Sequence, residues 1–406
     1  MLSINDIDNI RLICADKNLK IDFISKPLKV DFIAYHDLQA QTAQSVYDEM
    51  GVHFKCAWRI GPNQIPNGAQ AAIMLDHQFH HPKVVKSQRG YKYLFYLSHD
   101  LADLNVYEAE KEYLRQYDIV FVPGTIHHQH ALKALGKNTL IIETGWPKYD
   151  LMKFPEELLE LRNQIAKLPY QYTILYAPTS AHTGEWKYLL PLLKNLPCNV
   201  ILKNHIYVNK GQVFPKGQEE IYQTALNAVE EMEKEIVGYA KANMLVVPRN
   251  LNICSLFPFT DILISDQSSV LLEFVPFGAS IETGRYNANE NDFKPEISGI
   301  SKEVAFMDKG KICAFLSSIE NIEQFLSANI SPNISPNINY VDPTIHAGKL
   351  TALLIDRYVY ESQQNKWSYL TRETLRRGII SLTDFSKKLV RILKKPGRLI
   401  ANKHND

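Results

Sequence analysis

The segment DILISDQSSVLLEFVPFG, residues 261–278, decides the fold because a polar turn joins a short apolar strand to an apolar helix-like run. The strand leads into Asp266, and Ser268 and Ser269 stand where the helix would begin. The first turn of a helix carries unpaired N–H groups and a partial positive charge, so two hydroxyls beside it can hold a phosphate. Ordinary N-capping, for which serine is favoured, explains the same residues equally well. Glu273, one turn further on, could hold a ribose hydroxyl or face solvent.

Strand-like and helix-like segments alternate along most of the 406 residues, which is typical of an α/β protein with parallel sheets. The length favours two domains. We expect a Rossmann-like N-terminal domain over residues 1–155, a second Rossmann-like domain over 156–345, and a closing helix with a basic tail over 346–406. The helix-like run 218–242 could be an arm or an insertion. The predicted strands are 29–36, 71–75, 91–99, 118–124 and 139–145 in the first domain, and 172–179, 199–205, 243–248, 261–266 and 279–284 in the second.

Composition excludes several classes of protein. Five dispersed cysteines without CxxC spacing indicate reduced thiols in a cytosol and argue against a disulfide framework or a zinc site. The first residues carry acids where a signal peptide needs a basic start, and no run of about 18 apolar residues could span a membrane. Residues 1–365 carry more acidic than basic side chains, and aromatic and basic residues are not interleaved. Both features argue against nucleic acid as a partner.

Charge is unevenly distributed. Residues 366–406 carry 11 Lys and Arg against 3 Asp and Glu, whereas the rest of the chain carries 34 against 41. Within this tail, residues 381–395 place apolar side chains on one helical face and lysines around it. A helix packed on the body would explain the pattern, but we favour a basic amphipathic helix on an anionic membrane surface. That interpretation predicts a cytoplasmic protein attached peripherally to the inner face of the cell membrane.

Polar residues follow almost every predicted strand. Ligands of open α/β sheets bind off the carboxyl ends of the strands, so these residues are the candidates for function. His99 and His205 each end an apolar strand, one in each domain, and a histidine there can act as a base or as a cation beside a phosphate. A lone histidine is more often structural.

In the histidine-rich segment 76–82, His77 and His81 are four apart, as in a helical zinc pair, but Pro82 ends any helix there and no Glu stands between them. The second such segment, 127–130, lies at the start of a predicted helix, and we expect neither a metal nor another cofactor.

Several segments resemble, in order, the motifs of the CDP-glycerol glycerophosphotransferase family, the teichoic-acid primases and polymerases. DILISDQSSVLLEF (261–274) is similar to its D-x-x-I-[ST]-D-Y-S-S-x-x-x-[DE]-F signature. TGWPKYDLM (144–152) resembles its G-x-P-R-x-D-x-[LM] segment, and ILYAPTS (174–180) its I-L-Y-A-P-T-[WF]-R segment. VILKNHIYV (200–208) matches its strand ending in histidine, and LFYLSHDL (94–101) lies where the family has Trp-His-Gly. The resemblance implies a GT-B-like fold without a metal, with the active site between the two domains.

The resemblance also implies roles for single residues. His99 matches the proposed base, His205 the histidine near the donor phosphates, and Thr179 the threonine of A-P-T. The serine pair Ser268 and Ser269 matches the donor-binding serines, with Asp266 beside them, and Glu273 matches the acidic position. The chain departs from the family at four places: Ser180 for an aromatic residue, Gln267 for Tyr, Lys148 for Arg, and Asp100 for Gly.

Together these features predict a transferase that moves glycerol phosphate or ribitol phosphate from a CDP-alditol to a hydroxyl of a lipid-linked cell-surface polymer, releasing CMP. The alternative is a GT-B glycosyltransferase that uses a nucleotide-activated sugar, such as a CMP-linked one, in capsule or surface polysaccharide synthesis. A third hypothesis is an inactive assembly subunit docked on the membrane. Turnover of CDP-alditols or of sugar nucleotides separates the first two hypotheses, and failure to bind any cytidine nucleotide would favour the third.

Overall fold

Two parallel β-sheets with flanking helices make up the molecule, seen in a computed structural model. The structure describes residues 22–34, 37–60, 68–75, 91–178, 186–204, 219–239, 243–283, 297–329, 343 and 345–364. Every strand pairing in both sheets is parallel. The predicted α/β architecture of two Rossmann-like domains is therefore confirmed. The basic amphipathic helix predicted within 366–406 lies outside the described residues.

The first sheet has the strand order β2-β1-β3-β4-β5-β6. Its inner strands are built from apolar residues that are buried on both faces, as parallel strands covered by helices must be. The strands are β1 Lys29–Ala34, β2 Lys55–Ile60, β3 Ala71–Met74, β4 Tyr93–Leu97, β5 Ile119–Val122 and β6 Ile141–Glu143. The accompanying helices are α1 Asp37–Gly51, α2 Val106–Ala109, α3 Lys111–Leu114 and α4 Thr125–Leu135, followed by a 3₁₀ turn at Pro147–Leu151.

The second sheet has the order β12-β11-β10-β7-β8-β9, the doubly wound order of nucleotide-binding folds. The order reverses between β7 and β10, which are hydrogen-bonded neighbours. Ligands of such sheets bind outside the strand ends at this reversal. The strands are β7 Thr173–Tyr176, β8 Asn199–Leu202, β9 Met244–Val246, β10 Ile262–Ser265, β11 Ala279–Glu282 and β12 Val304–Phe306. The helices are α5 Leu159–Ala166, α6 Trp186–Asn195, α7 Glu219–Tyr239, α8 Val270–Phe274, α9 Lys309–Phe315 and α10 Ile319–Asn329, with 3₁₀ turns at Glu156–Leu158 and Ile253–Phe259.

The closing helix α11, Ala347–Gln364, packs against the first sheet although it follows the second along the chain. Leu350, Leu354, Ile355 and Val359 are buried in the core formed by β1, β3, β4 and α1. The Asp150 carboxylate accepts from the N–H groups of Ala347 (3.2 Å) and Gly348 (2.6 Å) and so caps the helix N-terminus. The chain therefore returns to its first domain after completing the second.

Helix α7, for which the sequence suggests an arm or an insertion, is part of the second domain. Leu226, Val229 and Met232 are buried against the core beneath β7 and β8. Glu231 and Lys234 are exposed, which accounts for part of the polar composition, whereas Glu233 pairs with Arg249. Among the described residues no helix is long and apolar enough to cross a membrane.

Candidate active site

A cavity of about 660 Å³, including its open mouth, lies where the carboxyl ends of the two sheets face each other. Both domains contribute to its wall. Its polar lining residues are Gln41, Thr42, His99 and Lys148 from the first domain, and Lys203, Asn204, Arg249, Ser268, Ser269 and Glu273 from the second. Four of the seven site residues predicted from the sequence, His99, Ser268, Ser269 and Glu273, thus meet in one cavity.

His99 follows β4 and presents its ring to the cavity from the first domain. Its Nε2 atom is 3.3 Å from the amide nitrogen of Gln39 on α1, a hydrogen bond that orients the ring. Its Nδ1 atom is buried, so Nε2 is the ring nitrogen that can reach a substrate. Gln41, two residues along α1, bonds the carbonyl of Asn250 across the cleft at 3.3 Å. The predicted base is therefore hydrogen-bonded to a helix, α1, that also contacts the opposite domain.

Ser268 and Ser269 lie between β10 and α8, as the sequence predicted, and the structure places this turn at the reversal of strand order. Ser269 is the residue before the helix, and its side chain makes no capping bond. Ser268 Oγ is 3.4 Å from the N–H of Val270. Ala177 and Pro178, after the neighbouring strand β7, form the adjoining wall. Asp266 is buried behind this turn, outside the cavity lining, and its carbonyl accepts from the N–H of Ser268 at 3.0 Å.

Glu273 forms a buried ion pair between the two domains. Lys148 Nζ lies 2.8 Å and 2.7 Å from the two carboxylate oxygens, and the thiol of Cys254 is 3.6 Å from one of them. Tyr149 donates to the Glu273 carbonyl at 2.6 Å. Burial works to lower the pKa of Lys148, but the charge of Glu273 and its hydrogen bonds outweigh it and raise that pKa. Of the two alternatives for Glu273, facing solvent is wrong because the side chain is buried. The ribose contact stays a prediction, and the carboxylate has a protein partner on both oxygens.

Lys203 and Arg249 add two further cations that the search for site residues in the sequence missed. Arg249 forms a bidentate pair with Glu233 on α7 (2.9 and 2.8 Å). Lys203 Nζ donates to the carbonyls of Asn204 (2.9 Å) and Arg249 (2.7 Å). Burial, and then the positive charges of Lys148 and Arg249, lower the pKa of Lys203 to about 7, while Glu233 opposes the shift. Lys203 directly follows β8 and Arg249 lies three residues after β9, so the rule that found His99 would have found them too.

Two of the predicted site residues, Thr179 and His205, lie outside the described residues, as does the histidine-rich segment 76–82. Their chain neighbours Pro178 and Asn204 line the cavity. In the second histidine-rich segment, His127 is fully buried between the Tyr107 hydroxyl and the Leu101 carbonyl, at 3.0 Å from each, and so has a structural role. Within the described part of the chain, no three His, Cys, Asp or Glu residues are placed to hold a metal ion.

The arrangement suits an anionic, phosphate-bearing ligand. The wall formed by the second domain offers two cations, Lys203 and Arg249, with two serine hydroxyls and backbone N–H groups, and these are the groups that bind phosphate oxygens. The other wall offers an imidazole, which can accept a proton near neutral pH. A reaction between a phosphoryl group and a hydroxyl would need both walls.

A protein-family model matches half of the chain. The model described as CDP-glycerol:poly(glycerophosphate) glycerophosphotransferase matches residues 75–278, which include every predicted site residue. No curated protein sequence matches significantly.

Solved structures of similar fold include two groups. The wall teichoic acid polymerase TagF is 12% identical with a TM-score of 0.51, over 89% of this chain and 95% of that chain. A putative UDP-N-acetylglucosamine 2-epimerase from Listeria monocytogenes is 12% identical with a TM-score of 0.53, over 82% and 97%. The S. aureus MnaA–UDP structure is 9% identical with a TM-score of 0.50, over 83% and 97%. These likenesses support the GT-B-like fold predicted from the sequence.

Proposed function

The chain belongs to the CDP-glycerol:poly(glycerophosphate) glycerophosphotransferase family and is an enzyme of that type, and from this we propose that it transfers glycerol phosphate or ribitol phosphate to a lipid-linked cell-surface polymer. The donor would be CDP-glycerol or CDP-ribitol, and CMP would leave. The observation that carries the proposal is the single cavity in which His99 of the first domain faces the cations and serines of the second.

In the proposed reaction, a hydroxyl oxygen of the acceptor attacks the β-phosphorus of the donor. The bond between that phosphorus and the bridging oxygen breaks, and CMP leaves with the bridging oxygen. His99 Nε2 takes the proton of the attacking hydroxyl. To do so, the hydroxyl replaces the Gln39 amide as the hydrogen-bond partner of Nε2. A general base of this kind contributes on the order of 10²–10⁴ in rate.

The second domain would hold the donor. Ser268, Ser269 and the N–H groups of their turn would bind the phosphoryl oxygens, and His205 would add a donor or a positive charge beside them. We keep Thr179 in the proposed donor site on the strength of the motif, and Asp266, which is buried behind the turn, would support the serines from there. We retain Glu273 as a residue of this site, where its pair with Lys148 would hold the turn in place.

Attachment to the inner face of the cell membrane belongs to the same proposal. Support comes from the sequence of residues 366–406, whose apolar face and surrounding lysines suit an anionic lipid surface. A lipid-linked acceptor would then be presented at the membrane where the enzyme is bound.

The test is turnover of CDP-glycerol, CDP-ribitol and a panel of CMP- and UDP-linked sugars, followed as release of the nucleotide. We expect CMP from one CDP-alditol, and no turnover of the sugar nucleotides. Turnover of a sugar nucleotide alone would replace the proposal with the glycosyltransferase alternative.

Two variants separate the proposed roles within that assay. His99→Ala should abolish transfer while leaving the affinity for the donor unchanged. Replacing Ser268 and Ser269 together by alanine should weaken donor binding, at roughly 1.5–3 kcal/mol for each lost hydrogen bond to a charged group. Ser327→Ala, an exposed serine of α10 far from the cavity lining, is the matched control. Near-normal turnover by His99→Ala would exclude it as the base.

A further inference from the structure

Among the described residues, Lys203 is the one cation of the cavity lining that has no carboxylate within ion-pair distance. Glu273 neutralises Lys148, and Glu233 neutralises Arg249. The contacts of Lys203 Nζ are two backbone carbonyls, which carry no net charge. Charged or titratable groups around the cavity are Lys148, Glu273, Arg249 and Glu233, with His99 on the opposite wall and Asp266 behind the serine turn.

A buried charge without a partner is unfavourable by several kcal/mol, so proteins either pair such groups or neutralise them. Lys203 is 6% exposed, and that small exposed area opens into the cavity. The two carbonyl contacts occupy two of the three hydrogens of its ammonium group, which leaves one for a ligand. The described residues therefore supply no anion to the ammonium group of Lys203.

We propose that Lys203 is a donor-binding residue, and that the diphosphate of the donor is its missing counter-ion, so that a proton is taken up when the donor binds. This inference rests on the proposed function. It assigns a role to a residue that neither the sequence motifs nor the strand-end histidines identified.

The sign of the proton linkage follows from the surroundings of Lys203. With the cavity empty, burial and the positive charges of Lys148 and Arg249 hold the pKa of Lys203 at about 7. A bound diphosphate brings negative charge next to the ammonium group and raises that pKa. Donor binding is then strongest below pH 7 and weakens about tenfold for each pH unit above it, because the amine must first be protonated.

A structural role is the competing explanation. In that case Lys203 links the end of β8 to the segment after β9 through its hydrogen bonds to two carbonyls. Its protonation state then does not change when the donor binds. Proton uptake distinguishes the two roles, because a purely structural lysine has the same charge before and after binding.

The experiment is calorimetric titration of the full chain with CDP-glycerol in two buffers of different ionisation enthalpy, from pH 6.0 to pH 8.5. The phosphates of this donor are fully ionised throughout, so the ligand contributes no protons. With a free pKa of about 7 we expect uptake of about 0.9 proton per donor at pH 8.0 and about 0.1 at pH 6.0. Lys203→Arg, which stays charged at every pH, should bind the donor without proton uptake.

Each outcome has one meaning. Uptake with a midpoint near pH 7 that disappears in Lys203→Arg supports the inference. Binding without uptake, or uptake that persists in Lys203→Arg, overturns the inference and leaves the proposed function standing. No binding of CDP-glycerol overturns the proposed function and the inference with it. If Lys203→Arg does not fold, His99→Gln and His205→Gln decide: uptake that persists in both supports Lys203, and uptake lost in either overturns it.

Discussion

At the residue scale, His127 makes the folded state sensitive to acid. Burial lowers the pKa of His127 to about 4, with the Leu101 carbonyl opposing the shift. The folded protein therefore holds this ring neutral while an unfolded chain protonates it near pH 6.5. Its contribution to stability is complete above pH 6.5 and is lost as the pH falls towards 4.

We predict that His127→Gln, which cannot be protonated, reduces the loss of unfolding free energy between pH 7 and pH 4.5 by roughly 2–3 kcal/mol, at 1.36 kcal/mol per pKa unit. Urea unfolding at several pH values measures the unfolding free energy of the variant and of the wild type. Gln129→Ala, an exposed and non-ionisable position of the same helix, should follow the wild-type pH dependence. An unchanged pH dependence in His127→Gln would contradict the assignment.

The sequence also sets a limit on what can be predicted for single residues. His99, Ser268 and Ser269 could be found because each follows an apolar strand, and the carboxyl ends of parallel strands meet at one edge of the sheet. The Lys148–Glu273 pair could not, because its members are 125 residues apart and no periodicity connects them. Lys148, a departure from the family motif in the sequence, keeps the charge of the arginine it replaces.

At the element scale, the packing of α1 against α11 depends on a glycine. A Cβ placed on Gly348 would lie 2.6 Å from Ser45 Oγ and 2.8 Å from the Ser45 carbonyl carbon. Ser45 cannot move away easily, because its hydroxyl bonds the carbonyl of Pro147 at 3.0 Å. The two helices therefore approach more closely than any residue with a side chain allows.

We predict that Gly348→Ala lowers the unfolding free energy by roughly 1–3 kcal/mol, the usual effect of overpacking a tight contact. Gly310→Ala in α9 is the control. Its new Cβ would meet nothing nearer than the Asp308 side chain at 3.5 Å, and alanine favours a helix over glycine by about 1 kcal/mol. Thermal unfolding of both variants measures the difference, and equal midpoints would show that α1 and α11 can separate without loss.

Two strands escaped the sequence analysis for a physical reason. β2, KCAWRI, begins with a lysine, carries an arginine and is only partly buried, so it lacks the continuous apolar character of the inner strands. β12, VAF, is apolar but only three residues long, which is too short to stand out in the sequence. Inner strands such as β10 are buried on both faces and are visible in the sequence as apolar runs.

At the scale of the whole molecule, the Lys148–Glu273 pair joins the two domains beside the cavity. Glu273→Gln should lower the unfolding free energy by roughly 3–5 kcal/mol, because a buried ammonium group loses its counter-charge. Combining it with Lys148→Met removes the unpaired charge and should recover part of the loss. A double-mutant cycle from urea unfolding measures this coupling, and additive effects would show that the pair contributes nothing.

The basic tail is the other feature that concerns the whole molecule. We predict that deleting residues 366–406 releases the protein from anionic vesicles and leaves donor binding intact, since lysines near such a surface contribute about 1 kcal/mol each. Raised salt should weaken attachment of the full chain without abolishing it, because the apolar face is not screened. Co-sedimentation with anionic and with neutral vesicles measures both. A full-length chain that stays in the supernatant with anionic vesicles at low salt contradicts the membrane interpretation.

The return of α11 to the first domain bears on how the chain folds during its synthesis. Domains usually fold in the order in which the ribosome makes them. Here the core around β1, β3 and β4 lacks its last helix until residues 347–364 have been translated, after the whole second domain. The second domain can therefore complete its core first. Until then, the face of the first sheet that α11 covers stays exposed. During that interval the nascent chain exposes the kind of surface that chaperones bind, and a stalled ribosome would leave the first domain unfinished.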